Sequence, residues 1–200
     1  MTTEIQTIDA GSLTLLEIVP RQGEWNERDY LWISGGTNRL VELVNGRLEV
    51  LRPPTDQHQS ILVNIFMPLF TLTETIGGTV IFAALRLRLW SGHFRNPDIL
   101  LLVSADDPRS ANEFWNGADL VVEVVSPDKP ERDTVEKVRD YAQASIPEYW
   151  IVNPIIERIS VLKLDGDTYT THGEWGRSER ATSALLPDFS ANVSAVLDAE

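Results

Sequence analysis

The stretch D-L-V-V-E-V-V-S-P at 119–127 constrains the fold more than any other. Leu120, Val122 and Val124 project to one side of an extended chain, and Val121, Glu123 and Val125 to the other. Both sides are apolar, so the stretch reads as a central strand covered on both faces, with Ser126-Pro127 ending it. Glu123 is then a carboxylate on a buried face, which is costly unless something pairs with it.

A second carboxylate stands nearby in the chain. Asp98 follows Pro97 and opens the apolar run Ile99 to Val103, a further strand. Between the two strands runs a polar connection from Ser104 to Gly117, longer than a mere link in a compact domain requires. After Pro127, Asp133 and Glu136 form an Asp-x-x-Glu capping pattern for a helix to about Ala144. On it Lys137 and Tyr141 are one turn apart, near Val138 and Ala142, so the ammonium can project from the edge of the buried face.

Around this centre the remaining segments take their places in order. Residues 1–24 form an arm with a short apolar patch, Leu13 to Val19. Asn26 caps a short packing helix through Tyr30 to Ile33 that stops at Gly35-Gly36. L-V-E-L-V-N-G-R-L-E-V-L at 40–51 is a hairpin turning on Asn45-Gly46, the dipeptide that best tolerates positive φ. Its alternation leaves Glu42 facing either solvent or a site, solvent being the commoner outcome. Thr55 to His58 caps a helix whose apolar residues, Ile61, Leu62, Ile65, Phe66, Leu69 and Phe70, have helical spacing, with a kink expected at Pro68. Residues 79–90 read as one strand with a wet face bearing Arg86 and Arg88. Strands at 148–152, 159–164 and 168–172 complete the sheet, and the last twenty residues form a docking tail. The chain is thus expected to be one α/β domain from residue 25 to 200, a twisted mixed sheet flanked by helices.

With 200 residues there is length for one sizeable core. The sequence has no cysteine, and its three histidines lack zinc-ligand spacing, so a metal would be held by oxygen, which favours Mg2+, Mn2+ or Ca2+. Without a signal-like or membrane-spanning run, the expected location is the cytoplasm. The net charge of −13 argues against a generally basic nucleic-acid surface. A carboxylate-lined site itself contributes to that charge, however, and Arg86, Arg88 and Arg95 are locally grouped.

Two carboxylates and a lysine are the parts that phosphodiester hydrolysis requires. Carboxylates hold a hard cation, the cation acidifies a water, and an ammonium stabilises charge developing on the phosphoryl group. Each residue taken alone has a plainer reading: Pro-Asp as a turn, Glu123 paired with a strand arginine, Lys137 solvated. Their order, strand-Asp, strand-Glu, helix-Lys, favours the site. The alternatives are a non-catalytic binding or assembly module and, less favoured, a glycosidase using paired carboxylates.

Pro97-Asp98, L-V-V-E-V-V-S-P at 120–127, Asp133-x3-Lys137-x3-Tyr141, I-P-E-Y-W-I-V-N-P at 146–154 and V-E-L-V-N-G-R-L-E-V at 41–50 together resemble the Uma-two family of restriction-endonuclease-like proteins, formerly a domain of unknown function, in the PD-(D/E)XK nuclease superfamily. The resemblance runs from about residue 25 to the C-terminus. It implies a restriction-endonuclease-like fold and Mg-dependent cleavage of DNA, with Asp98, Glu123 and Glu42 as metal ligands and a catalytic lysine. The superfamily signature would put that lysine at 125, where Val125 stands, and Lys137 is the residue that matches instead. His58, Tyr141 and Trp150 also match family positions and are assigned to the margin of the site or to packing. A homodimer is compatible with the resemblance.

Overall fold

The computed structural model describes residues 19–198; the expected arm lies, for residues 1–18, outside the described residues. Helix α1 (Glu27–Gly35) is capped by the Asn26 side chain, which accepts from the Asp29 amide. Tyr30 seats it, donating from its hydroxyl to the Val41 carbonyl at 2.9 Å and packing on Phe94, while Trp32 faces outward. Strands β1 (Val41–Val44) and β2 (Arg47–Val50) pair antiparallel around Asn45 and Gly46, both at positive φ. A side chain at Gly46 would have no room, since its Cβ would stand 2.5 Å from the Gly23 carbonyl oxygen. The turn docks on that segment through the Gly46 carbonyl, which accepts from the Gly23 and Trp25 amides.

Helix α2 (Asp56–Ile76) starts on Thr55, whose hydroxyl accepts from the His58 amide, and ends at Gly77 in the left-handed region. It continues through Pro68 without an end there. Its length and composition would suffice to cross a bilayer. Ile61, Leu62, Ile65 and Leu69, however, are buried in the core with β-strand residues such as Val122 and Trp150.

The expected single strand at 79–90 is two strands. β3 (Thr79–Phe82) pairs with β6 (Ile99–Leu102) in a six-stranded sheet, and β4 (Arg86–Trp90) pairs with β5 (His93–Arg95) in a five-stranded one. A cis peptide joins Ala83 to Ala84 between them. The long connection before 117 contributes β7 (Phe114–Trp115), parallel to β4, and is tied down by Arg109, which bonds Asp107 and Asp119.

The six-stranded sheet runs β11 (Thr168–Trp175), β10 (Arg158–Asp165), β9 (Glu148–Asn153), β8 (Leu120–Val124), β6, β3. As its sequence required, β8 is interior: antiparallel to β6, parallel to β9, and buried throughout. Its Leu120, Val122 and Val124 join the core under α2, and Val121 joins that on the opposite face with Leu100, Tyr141 and Tyr149. The C-terminal β12 (Arg180–Thr182), β13 (Ser190–Asn192) and α4 (Val193–Leu197) close the first core. Buried Glu148 pins this tail, accepting from the Ser183 hydroxyl and the Ala184 and Leu185 amides at 2.6–2.7 Å.

Gly46→Ala, combining left-handed φ with a backbone clash, is expected to destabilise the protein by about 2 kcal/mol, read as a lower urea midpoint at unchanged slope.

Candidate active site

Strand pairing brings the two principal carboxylates together. β6 and β8 run antiparallel with Ile99 opposite Val122, and continuing that register by one residue sets Asp98 across from Glu123. Cross-strand neighbours lie about 5 Å apart at Cβ, close enough to share an ion. Asp98 is fixed by its Oδ2, which accepts from the Val124 amide at 2.7 Å and lies 3.3 Å from His58 Nε2.

Lys137 arrives by a route the capping pattern did not foresee. Asp133 caps nothing: the segment Arg132–Glu136 is a wide turn in which the Lys137 amide donates to the Arg132 carbonyl five residues back, and helix α3 (Lys137–Gln143) follows. Asp133 is buried inside the turn. The Lys137 ammonium, 2% exposed, stands 2.7 Å from Glu123 Oε1, 3.0 Å from Asp133 Oδ1 and 3.8 Å from Glu42 Oε1. Burial alone would strip its proton, but Asp133, Glu123 and Glu42 outweigh that and raise its pKa, so it stays charged. Val125 meanwhile packs among apolar residues.

Glu42 does not face solvent; it is fully buried. Its Oε2 accepts from Arg95 Nη1 at 2.7 Å and its Oε1 from the Asn96 amide at 2.9 Å. Burial opposes ionisation, yet Lys137, Arg95 and the Asn96 amide hold its carboxyl at about 2. Both of its oxygens are thus engaged, so that it anchors Arg95 and flanks Lys137 beside the cavity.

Further groups complete the surroundings, of which Asp140 and His93 were not evident in the sequence. Arg95 also binds Asp140 of α3, through Nε at 2.8 Å and Nη2 at 2.6 Å, and buried His93 Nε2 meets the same carboxylate at 3.0 Å. Tyr141 donates to Glu123 Oε1 at 2.5 Å, and Tyr149 to the Asp133 carbonyl at 2.8 Å. Trp150 belongs to packing, its indole bonded to Glu148. The i,i+4 spacing of Asp133 and Lys137 was the available signal for one missed member. Arg86 and Arg88, grouped in sequence with Arg95, are occupied elsewhere, near Glu113 at 3.7 Å and Glu27 at 3.1 Å.

Asp98, Glu123, Asp133, Lys137 and His58 line a cavity of about 290 Å3. Five carboxylates (Glu42, Asp98, Glu123, Asp133, Asp140) face three permanent cations (Arg95, Arg132, Lys137) and two histidines, His58 beside Asp98 and His93 beside Asp140. Burial, opposed by Lys137 and reinforced by Asp98 and Asp133, pushes Glu123 up to about 8. The His58 pKa is also raised, Asp98 outweighing burial. Among the described residues, Asp98 Oδ1 and Glu123 Oε2 make no hydrogen bond or ion pair. No three His, Asp or Glu side chains among those residues gather closely enough to enclose an ion unaided. A hard divalent cation at these two oxygens would need water and substrate oxygens to complete its coordination shell.

The chain belongs to the Uma2 family. The model of the Uma2 family, described as "Putative restriction endonuclease", matches residues 28–194. A crystal structure titled as a putative nuclease of DUF820 from Anabaena variabilis superposes with a TM-score of 0.66 over 78% of this chain and 89% of that one. At 15% identity that likeness speaks for the fold. No curated protein matches the sequence.

Two pH effects of opposite sign follow. Burial pushes Glu123 up from its unfolded value of 4.5 to about 8 in the folded chain, so the cation-free protein should lose stability as pH rises between these values. Urea midpoints in EDTA should show the fall, and Glu123→Gln should abolish it. Glu42 contributes stability that is present above its unfolded value of 4.5 and lost as pH falls toward 2. Glu42→Gln should flatten that acid limb.

Proposed function

We propose that the chain is a Mg-dependent endonuclease that hydrolyses phosphodiester bonds in DNA. The observation that carries this reading is the meeting, in one cavity, of Asp98 and Glu123 on neighbouring strands with the Lys137 ammonium bonded to Glu123. Asp98 and Glu123 would hold the cation, which supplies Lewis acidity to polarise a phosphoryl oxygen and lower the pKa of a water. The protein's own groups do the placing. The Val124 amide aims Asp98, while Lys137 and Tyr141 converge on Glu123 Oε1 and leave Oε2 toward the cavity. Lys137, kept charged by its carboxylate neighbours, would orient the attacking water or meet charge developing on the phosphoryl group.

Membership of the Uma2 family supports a nucleic-acid substrate. The acidic character of the chain is consistent with this, because a share of its charge is concentrated where a cation would offset it.

The test is cleavage of plasmid DNA in magnesium by the purified protein and by Asp98→Ala and Glu123→Ala. Each substitution should reduce the rate at least about a hundredfold. Cleavage persisting unchanged in both variants would sink the reading. Calorimetric titration with magnesium provides a second readout: heat of binding should be present in the native chain and absent in Glu123→Gln.

A further inference from the structure

Arg132 is a cation whose position the chemistry above leaves unexplained. Its residue is 9% exposed, yet its Nε is buried without a hydrogen-bond partner, and the Asp133 carboxylate stands off at 3.8 Å. A guanidinium has five donors in a planar fork, and burying it with a donor unmet is costly. Contrast Arg95, which bonds Glu42 and Asp140, and Arg109, which bonds Asp107 and Asp119. The carboxylates around Arg132 keep it charged without satisfying it.

The surroundings indicate what would satisfy it. Arg132 lines the cavity of about 290 Å3 that holds Asp98, Glu123 and Lys137. It also lines the adjoining cleft of about 560 Å3, walled by Pro53, Pro127, Pro154 and Ile155. Arg52 borders both spaces as well; its side chain is 79% exposed, with Asp128 at 3.5 Å as a loose partner. Two guanidinium groups thus stand where the carboxylate site opens into a groove with largely uncharged walls. An acceptor arriving there must be anionic and offer several oxygens.

We propose that Arg132 and Arg52 form a phosphate subsite that takes a phosphodiester of the DNA strand next to the one cut at Asp98 and Glu123. This deepens the nuclease reading and rests on it for the identity of the strand. The fork of Arg132 matches two phosphate oxygens at once, which fixes the strand's register in the cleft. Arg52, from the segment after β2, closes on the same phosphate from the exposed side. In a chain of net charge −13, such local cations are what backbone binding requires.

The test is fluorescence anisotropy with a short fluorescein-labelled DNA duplex in EDTA, where cleavage does not intervene, over a series of salt concentrations. Arg132→Gln should raise Kd about tenfold. Arg132→Gln and Arg52→Gln should each lower the slope of log affinity against log salt by about 1. Arg132→Lys should restore the slope but not the affinity, because an ammonium provides charge without the fork. Arg52 lies on the surface, so its variant carries the test if Arg132→Gln proves unfolded by thermal melting. Unchanged Kd and slope in the folded variants, full rescue by lysine, or no binding by the native chain would each overturn the subsite. A preference for an RNA duplex of the same sequence would overturn its assignment to DNA. Failure here with plasmid cleavage intact removes the subsite alone, whereas weakened duplex binding by the variants of a chain that never cleaves removes the nuclease reading and keeps the phosphate contact.

Discussion

The structure depends on one buried ammonium. Lys137 is withdrawn from water among Glu123 of the six-stranded sheet, Glu42 of the five-stranded sheet and Asp133 of the wide turn. Three carboxylates at such depth repel one another and cost desolvation energy; the cation among them makes the arrangement tolerable, and they in turn keep it charged. A second knot, Arg95 between Glu42 and Asp140, ties helix α3 to the same strands. Ion pairs thus join the two sheets alongside the apolar core that Leu87 and Trp115 share with Leu100 and Val121.

Much of the frame was legible because local chemistry decided it. The Asn45-Gly46 turn, the two apolar faces of β8 and the helical spacing under α2 each depend on residues close in sequence. What could not be read depended on distant partners. Residues 79–90 alternate smoothly, yet the two ends pair with strands of different sheets, and nothing in the segment announces the change. Asp133 satisfies every local rule for a helix cap but is drawn inward by Lys137, which the widened turn permits. Glu42 was ambiguous for a like reason: alternation gives a face, and only the partners Arg95 and Asn96 determine that the face is buried. The carboxylate pair was legible because a charge in an otherwise apolar strand stands out; its supporting cast of Arg95, Asp140 and His93 resembled ordinary surface residues.

The distribution of charge bears on how an acidic chain could meet a polyanion. Arg86, Arg88 and Arg109 lie beside or bond to carboxylates, so the grouping of arginines in sequence does not become a basic surface. Negative charge collects at the floor of the cavity, and arginine stands at its mouth. Net charge describes the chain's long-range field; local placement governs what happens at contact.

The bond from Asp98 to the Val124 amide has a further consequence. It attaches one member of the carboxylate pair to the backbone of the strand that bears the other, at the interior of the larger sheet. Such strands open only with the fold as a whole, so the spacing of the two carboxylates is as durable as the protein itself. The cleft walls at Pro53 and Ile155 belong instead to connecting segments, which tolerate substitution and insertion far better. On the proposed nuclease reading, chemistry and discrimination would occupy parts of the molecule with different freedom to vary, and a lineage could change what it admits to the cleft while the reaction stays fixed.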